Sequence, residues 1–341
     1  MARLARLIEA FGPIPVAQFI AEANAHYYAS RDPLGAGGDF VTAPEVSQMF
    51  GEMIGVWCAD IWMRAGKPVT RYVELGPGRG TLAADALRVM ARFGLTPQVH
   101  FVEGSPILRE EQARSVPNAV WHNVLADVPE DAPVLLVANE FLDALPTRQL
   151  VRVADGWRER CVGIADGAFV AVAAGAPMDA AVPEEWREAA EGAILETSPA
   201  VSTVMAEIGT RLANDGGAAL LIDYGYEGTR LGSSLQAVQG HAKVDPFLAP
   251  GEADLTTLVD FAAARAASET AGARWLGTTG QGAWLRALGI EARAAALTKT
   301  TIERADELAA ALDRLTAPDQ MGELFRVMGL AGNGWPEGAG F

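Results

Sequence analysis

The strand-like run Tyr72-Val-Glu-Leu75 passes directly into Gly76-Pro-Gly78-Arg-Gly80, and an amphipathic helical pattern follows from Leu82 to about Phe93. Glycines let a backbone turn sharply and approach a ligand, and the helix start behind them offers unpaired N–H groups. Further short apolar runs follow at Val99–Val102, Val120–His122 and Val134–Val137. Between the first and second of these a helix is predicted, with Ser105 as N-cap and Pro106 at its first position. Strands alternating with helices predict an α/β fold built on a parallel sheet covered on both faces.

The flanking segments have other periods. Residues 1 to about 66 read as helical: Val16, Phe19, Ile20 and Ala23 share one face, and Thr42-Ala-Pro-Glu45 has the form of a capping box opening a second helix. That helix carries Val46, Met49, Phe50, Met53, Ile54, Trp57, Ile61 and Trp62 at spacings of three and four, a face that needs a large apolar partner. Gln149 to about Ala173 alternates in polarity around Asp155-Gly156 and Asp166-Gly167, which predicts antiparallel hairpins. The α/β pattern resumes with a helix at about Pro199–Asn214 and the strand Ala218–Ile222 running into Asp223-Tyr-Gly225. Helices are expected near Leu255–Ala267, Gly280–Leu288 and Thr301–Arg314, and a closing strand at Leu324–Met328. The expected organisation is an N-terminal helical layer (1–66), a core (67–148 and 194–225), an antiparallel insertion (149–193), a mainly helical cover (226–320) and a closing core strand (321–330).

Composition narrows the partners. The net charge of −16, with twenty-four arginines and three lysines, disfavours nucleic acid and anionic membrane and suits a basic peptide or a cation. No apolar run approaches the roughly 20 residues of a membrane helix, so no membrane insertion is expected. Cys58 and Cys161 stand far apart, and His26, His100, His122 and His241 lack ligand spacing, so neither a disulfide framework nor a metal site is expected. A reducing cytoplasm fits this cysteine usage. The first ten residues read as a helix of the fold and not as a targeting segment.

Glycine spacing indicates the ligand. Dinucleotide enzymes need Gly-x-Gly-x-x-Gly, whereas here the third glycine comes one residue early and Thr81 takes its place. A Tyr-x-x-x-Lys pair is also missing, which disfavours a nicotinamide oxidoreductase. Glu74 two residues before Gly76-x-Gly78-x-Gly80 resembles the first motif of class I S-adenosylmethionine methyltransferases, and implies cofactor contacts from Glu74, Gly76, Pro77, Gly78 and Gly80. Glu103, at the end of the second strand, is placed to accept hydrogen bonds from both ribose hydroxyls. Asp127, just past the third strand, lies where that family contacts adenine.

The resemblance narrows further. Gly38-Asp-Phe-Val-Thr-Ala-Pro-Glu45, the glycine loop, Asn139-Glu-Phe-Leu-Asp-Ala-Leu-Pro146, Asp223-Tyr-Gly225, Pro250-Gly-Glu-Ala-Asp-Leu-Thr256 and Met321-Gly-Glu-Leu-Phe325 occur in the order of the MidA-like methyltransferases. Leu142 departs from the pattern, which has a second phenylalanine there. The resemblance covers nearly the whole chain and implies a Rossmann-like class I sheet, S-adenosyl-L-methionine as cofactor and a protein acceptor. It also implies protein-arginine Nω-methylation, since the family includes the mitochondrial protein-arginine methyltransferase needed for assembly of respiratory complex I. A complex I subunit is then the expected acceptor, and the alternative is a non-catalytic assembly factor that keeps the cofactor fold. Oligomeric state stays open.

A guanidinium acceptor is cationic, with a pKa above about 12 and a delocalised lone pair, so carboxylates must hold it and localise density on the reacting nitrogen. Glu140 and Asp143, at the carboxyl end of the fourth strand, are the candidates for that task, and Asn139 is placed to touch the cofactor's amino acid moiety. Glu140 and Phe141 stand where adenine and glutamine methyltransferases carry two prolines, which disfavours those acceptors. Asp39, Phe40 and Thr42 lie on a glycine-hinged segment suited to cover the site, Thr42 on the cofactor side and Asp39 and Phe40 on the acceptor side. Tyr224 and His241 are the remaining acceptor-side candidates, and Asp254 reads as a helix-start acid.

Overall fold

A computed structural model describes residues 2–30, 42–240 and 242–341. Seven strands form the path of its central sheet: β1 (Arg71–Leu75), β2 (Gln98–Val102), β3 (Val120–His122), β4 (Val134–Asn139), β5 (Gly217–Tyr226), β6 (Arg274–Gly280) and β7 (Phe325–Ala331), and the two-residue strand Val259–Asp260 pairs with the end of β5. They lie in the order β6-β7-β5-β4-β1-β2-β3. Strands β1 to β5 run parallel, while β7 is antiparallel to both β5 and β6. The chain order reverses between β1 and β4, and at such a switch point the crevice beyond the carboxyl ends is open to a ligand.

Alternation along the strands explains why both faces are covered. Tyr72, Leu135, Val137, Leu220 and Ile222 point into one apolar layer, and Val73, Leu136, Ala138, Ala219 and Leu221 into the other. The first layer is closed by α4 (Gln48–Arg64) and α5 (Thr81–Arg92), with α9 (Gln281–Ala287), α10 (Ile290–Thr300) and α11 (Ala305–Thr316). The second is closed by α7 (Pro199–Asp215) and α8 (Phe261–Thr270). The apolar face of α4 predicted from its spacing is buried, and Gly55 lets the helix approach α5 so closely that a Cβ there would stand 2.5 Å from the Ala86 carbonyl oxygen.

N-terminal to α4 the chain forms α1 (Ala2–Phe11), α2 (Val16–Ser30) and the short α3 (Ala43–Val46). Two expectations change here. Ile14–Pro15 is a two-residue strand and not helix, pairing with Cys161 and Val162. Thr42 starts α3 without a side-chain cap, Glu45 N donating to the Thr42 carbonyl at 2.9 Å, and the Glu45 carboxylate does not reach back but accepts from Thr81 Oγ1 at 2.8 Å; the long helix is instead capped by Ser47, whose Oγ accepts from Met49 N. Both cysteines are buried thiols.

The antiparallel strands Arg148–Val153, Gly156–Ala165 and Ala168–Pro177 form a separate sheet with Ile14–Pro15 and Ile194–Thr197. The turn at Asp166-Gly167 has φ of 50° and 77°, the left-handed pair that a tight hairpin with right-twisted strands requires. After β5 the chain forms the strands Gln236–Gln239, Ala242–Val244 and Asp254–Thr256, so the helix expected from Leu255 begins only at Phe261. Two contacts explain the shift: Asn24 of α2 brackets both backbone polar groups of Leu255, and Asp260 caps the helix through Ala262 N and Ala263 N. Among the described residues no helix is long and apolar enough to cross a membrane.

Candidate active site

The glycine loop closes the carboxyl end of β1. Gly76, Gly78 and Gly80 have φ of 61°, 55° and 78°, and Gly76 N donates to the Val102 carbonyl at 3.0 Å. A Cβ on Gly76 would stand 2.9 Å from Phe141 Cδ2, so backbone and ring leave no space for a side chain. The loop borders a cavity of about 480 Å³ lined also by Thr42, Glu45, Glu74, Glu103, Asn139 and Glu140.

The polar groups of this cavity are held from behind. Glu74 is buried and accepts from Tyr72 Oη at 2.6 Å; burial pushes its carboxyl up to about 8 although that hydrogen bond acts the other way. Glu103 accepts from Ser105 N at 2.7 Å and from Gln112 Nε2 at 3.1 Å, and burial outweighs these contacts in raising it. Each carboxylate oxygen keeps a lone pair free for a further donor such as a hydroxyl. Gln112 also donates to the Gly78 carbonyl at 2.7 Å, tying the loop to α6 (Pro106–Ser115), whose N-cap is Ser105 as expected. Asn139 Oδ1 is buried with no hydrogen-bond partner among the described residues. An orphaned amide oxygen, a cradle closed to any side chain and two buried carboxylates with spare acceptor capacity fit a ligand with hydroxyl and ammonium donors, which S-adenosylmethionine is.

Glu140 joins this cavity to a second one of about 760 Å³, on which Asp143, Tyr224, Asp254 and Thr256 also lie. The turn that presents Glu140 is strained: its φ is +50°, uncommon for a residue with a side chain. Glu140 N donates to the Ile222 carbonyl at 2.9 Å, and Asp223 holds the next residues, accepting from Leu142 N at 2.9 Å and Asp143 N at 3.2 Å through one oxygen. Glu140 Oε1 accepts from Ala43 N and Asn139 Nδ2. Burial, followed by the nearby Asp143, pushes Glu140 up to about 7. Asp143 is also raised by burial, against a hydrogen bond from Tyr224, and its Oδ1 has no partner among the described residues. Tyr28 of α2 lies on both cavities and donates to Asp254 Oδ1 at 3.0 Å.

The structure thus brings Thr42, Glu74, Gly76, Pro77, Gly78, Glu103, Asn139 and Glu140 to one cavity, and Glu140, Asp143 and Tyr224 to the next. Gly80 sits behind the loop as the left-handed residue preceding α5. Asp127 is exposed in a turn and is not among the residues lining either cavity; the chain leaves β3 through a short 3₁₀ turn that carries it off the sheet edge. Asp254 is buried in a strand and not at a helix start. Asp39, Phe40 and His241 lie outside the described residues. Sequence reasoning missed Asn24, Tyr28 and Gln112. Asn24 gave the clearest signal, one residue after Ala23 on the apolar face of α2.

The pH response follows from these groups. A carboxyl held above its ordinary value keeps a proton in the folded state that the unfolded chain has released. Stability of the ligand-free protein is therefore expected to fall as pH rises through about 7 for Glu140 and about 8 for Glu74. Thermal melting across that range checks this, and a flat profile would contradict it.

Fold and cavity define a class I S-adenosylmethionine-dependent methyltransferase: a sheet with a seven-strand path and reversed β7, a glycine loop after β1, and acidic residues ending β1 and β2. Residues 53–279 match a family of S-adenosyl-L-methionine-dependent methyltransferases, and the chain belongs to that family. It is 35% identical to the mitochondrial protein arginine methyltransferase NDUFAF7 of Mus musculus, over 95% of this chain and 82% of that protein. Its identity to the Danio rerio counterpart is 36%, over 96% and 85% respectively. A solved superfamily member from Burkholderia thailandensis bound to S-adenosylhomocysteine superposes with a TM-score of 0.85 at 30% identity, covering 99% of this chain and 93% of that one. The MidA-like reading, the fold class and the cofactor expected from sequence agree with these findings. The cytoplasmic placement does not: the animal relatives are mitochondrial by name, and that expectation is corrected.

Proposed function

We propose that the enzyme methylates a guanidinium nitrogen of arginine in a protein acceptor, and that the acceptor is a subunit of respiratory complex I. The observation that carries this reading is Glu140 and Asp143 side by side on the second cavity, immediately beyond the cofactor cavity. The names of the animal relatives support the arginine and the protein acceptor, and the resemblance of the six motifs supports complex I. In this reading Glu74, Glu103, Asn139, Thr42 and the backbone of Gly76, Pro77, Gly78 and Gly80 hold S-adenosylmethionine. When bound, the cofactor supplies an electrophilic methyl group on a sulfonium centre.

The chain's own residues do the rest. Glu140 and Asp143 pair with the cationic head and localise electron density on the nitrogen facing the first cavity. Tyr224 orients Asp143 by hydrogen bonding, and Asp223 fixes the turn that carries both acids. Glu140, poised at about 7, takes the proton released by the methylated nitrogen at its free carboxylate oxygen. Leu324, 54% exposed and lining the second cavity, offers apolar contact to a polypeptide. Incubating the enzyme and isotopically labelled S-adenosylmethionine with separated complex I subunits tests the acceptor. Label on an arginine of one subunit is expected, and labelling only of proteins outside the complex would remove that part of the proposal.

A further inference from the structure

The second cavity is bipolar. Glu140, Asp143 and Asp254 contribute acids, and Arg230 and Lys243, which follow β5 in the chain, line the same cavity. Arg230 lies over the Tyr226 ring at 5.3 Å, and neither cation makes an ion pair with a carboxylate among the described residues. Both cations are therefore left with hydrogen-bonding capacity for a ligand on this cavity. Lys243 is one of only three lysines in the chain. A cavity of about 760 Å³ is of the size that holds several connected groups and not one side chain alone.

Two poles of opposite sign select a ligand with two poles. We infer that Arg230 and Lys243 bind a carboxylate close in sequence to the target arginine, so that the substrate class is an arginine flanked by an acidic residue. The inference rests on the arginine reading above and adds its specificity. The arginine head is drawn to Glu140 and Asp143, the neighbouring acid to Arg230 and Lys243, and a polybasic segment is repelled by the same two cations. Recognition by charge at a partly open wall is screened by salt, so the preference weakens as ionic strength rises.

The test uses peptides with one arginine and either Glu, Gln or Lys at each of the three positions on either side. For the wild-type enzyme, kcat/KM for the best Glu peptide is expected to exceed that of its Gln twin about tenfold, mainly through KM. In R230Q/K243Q the ratio falls to near one, and in R230E the preference turns toward the Lys peptide. Calorimetry with S-adenosylhomocysteine establishes that each variant is folded. Equal rates on Glu and Gln peptides by the wild type, or a preference that persists in R230Q/K243Q, would overturn the inference and leave arginine methylation standing. Methyl transfer to none of the arginine peptides by a wild type that binds S-adenosylhomocysteine would overturn both.

Discussion

Glu140→Gln is expected to lower kcat for arginine methylation by about 10²–10³-fold, the usual cost of removing one preorganised charge from a reacting centre, with S-adenosylhomocysteine affinity nearly unchanged. The amide keeps the shape of the carboxylate and an oxygen that still accepts from Ala43 N and Asn139 Nδ2. The strained turn is retained, because it depends on the Ile222 carbonyl and on Asp223 and not on the Glu140 side chain. What is lost is the negative charge shared by the two cavities and the site for the released proton. In the wild type, kcat/KM is expected to rise with pH through about 7, since only the ionised carboxylate holds a cation, and the variant loses this limb. Steady-state kinetics with parallel calorimetry separates the two effects. An unchanged kcat would make Glu140 a structural residue.

Gly76→Ala is expected to abolish usable cofactor affinity, weakening S-adenosylhomocysteine binding by at least about 100-fold. Two costs combine: a left-handed backbone at φ +61°, worth about 1–2 kcal/mol against any L side chain, and a Cβ 2.9 Å from Phe141 Cδ2. Phe141 follows Glu140 and packs under the same cavity, so a shift of the ring moves the groups that meet the ligand. Gly94→Ala is the control. Gly94 has φ +81° but no atom within 4 Å of its would-be Cβ, so it carries the backbone cost alone and is expected to lower thermal stability with ligand affinity retained. Wild-type affinity in Gly76→Ala would show that the cavity beside the loop is not the cofactor site.

The central sheet was legible because its signals are local. Tyr72–Leu75, Val99–Val102 and Val134–Val137 are short runs dominated by apolar residues, as strands buried on both faces must be, with Glu74 and His100 the buried exceptions. The strand Arg274–Gly280 was not, since its half-buried face and the register shift at Gly277 erase any alternation. Nor was the small sheet of 236–256, whose pairing depends on Asn24, more than 200 residues away. The same division holds at the site. Glu74, Glu103 and Glu140 are found by counting from strand ends, whereas Tyr28 and Gln112 reach it from helices whose periodicity tells which face is covered and not what covers it. The capping box at Thr42 failed for a related reason: the Glu45 side chain it needed is claimed by Thr81, a tertiary partner that no local pattern contains.

The charge of −16 begins as an argument against nucleic acid and ends as a local question about one cavity, which both acids and two cations line. The measurement that tests the account most directly is residue-level mass spectrometry of cell extract after incubation with isotopically labelled S-adenosylmethionine, comparing wild type with Glu140→Gln. Labelled methyl groups on arginine, present with the wild type and absent with the variant, are the predicted result. Label confined to another residue type or to small molecules, or equal arginine labelling by both enzymes, would contradict it.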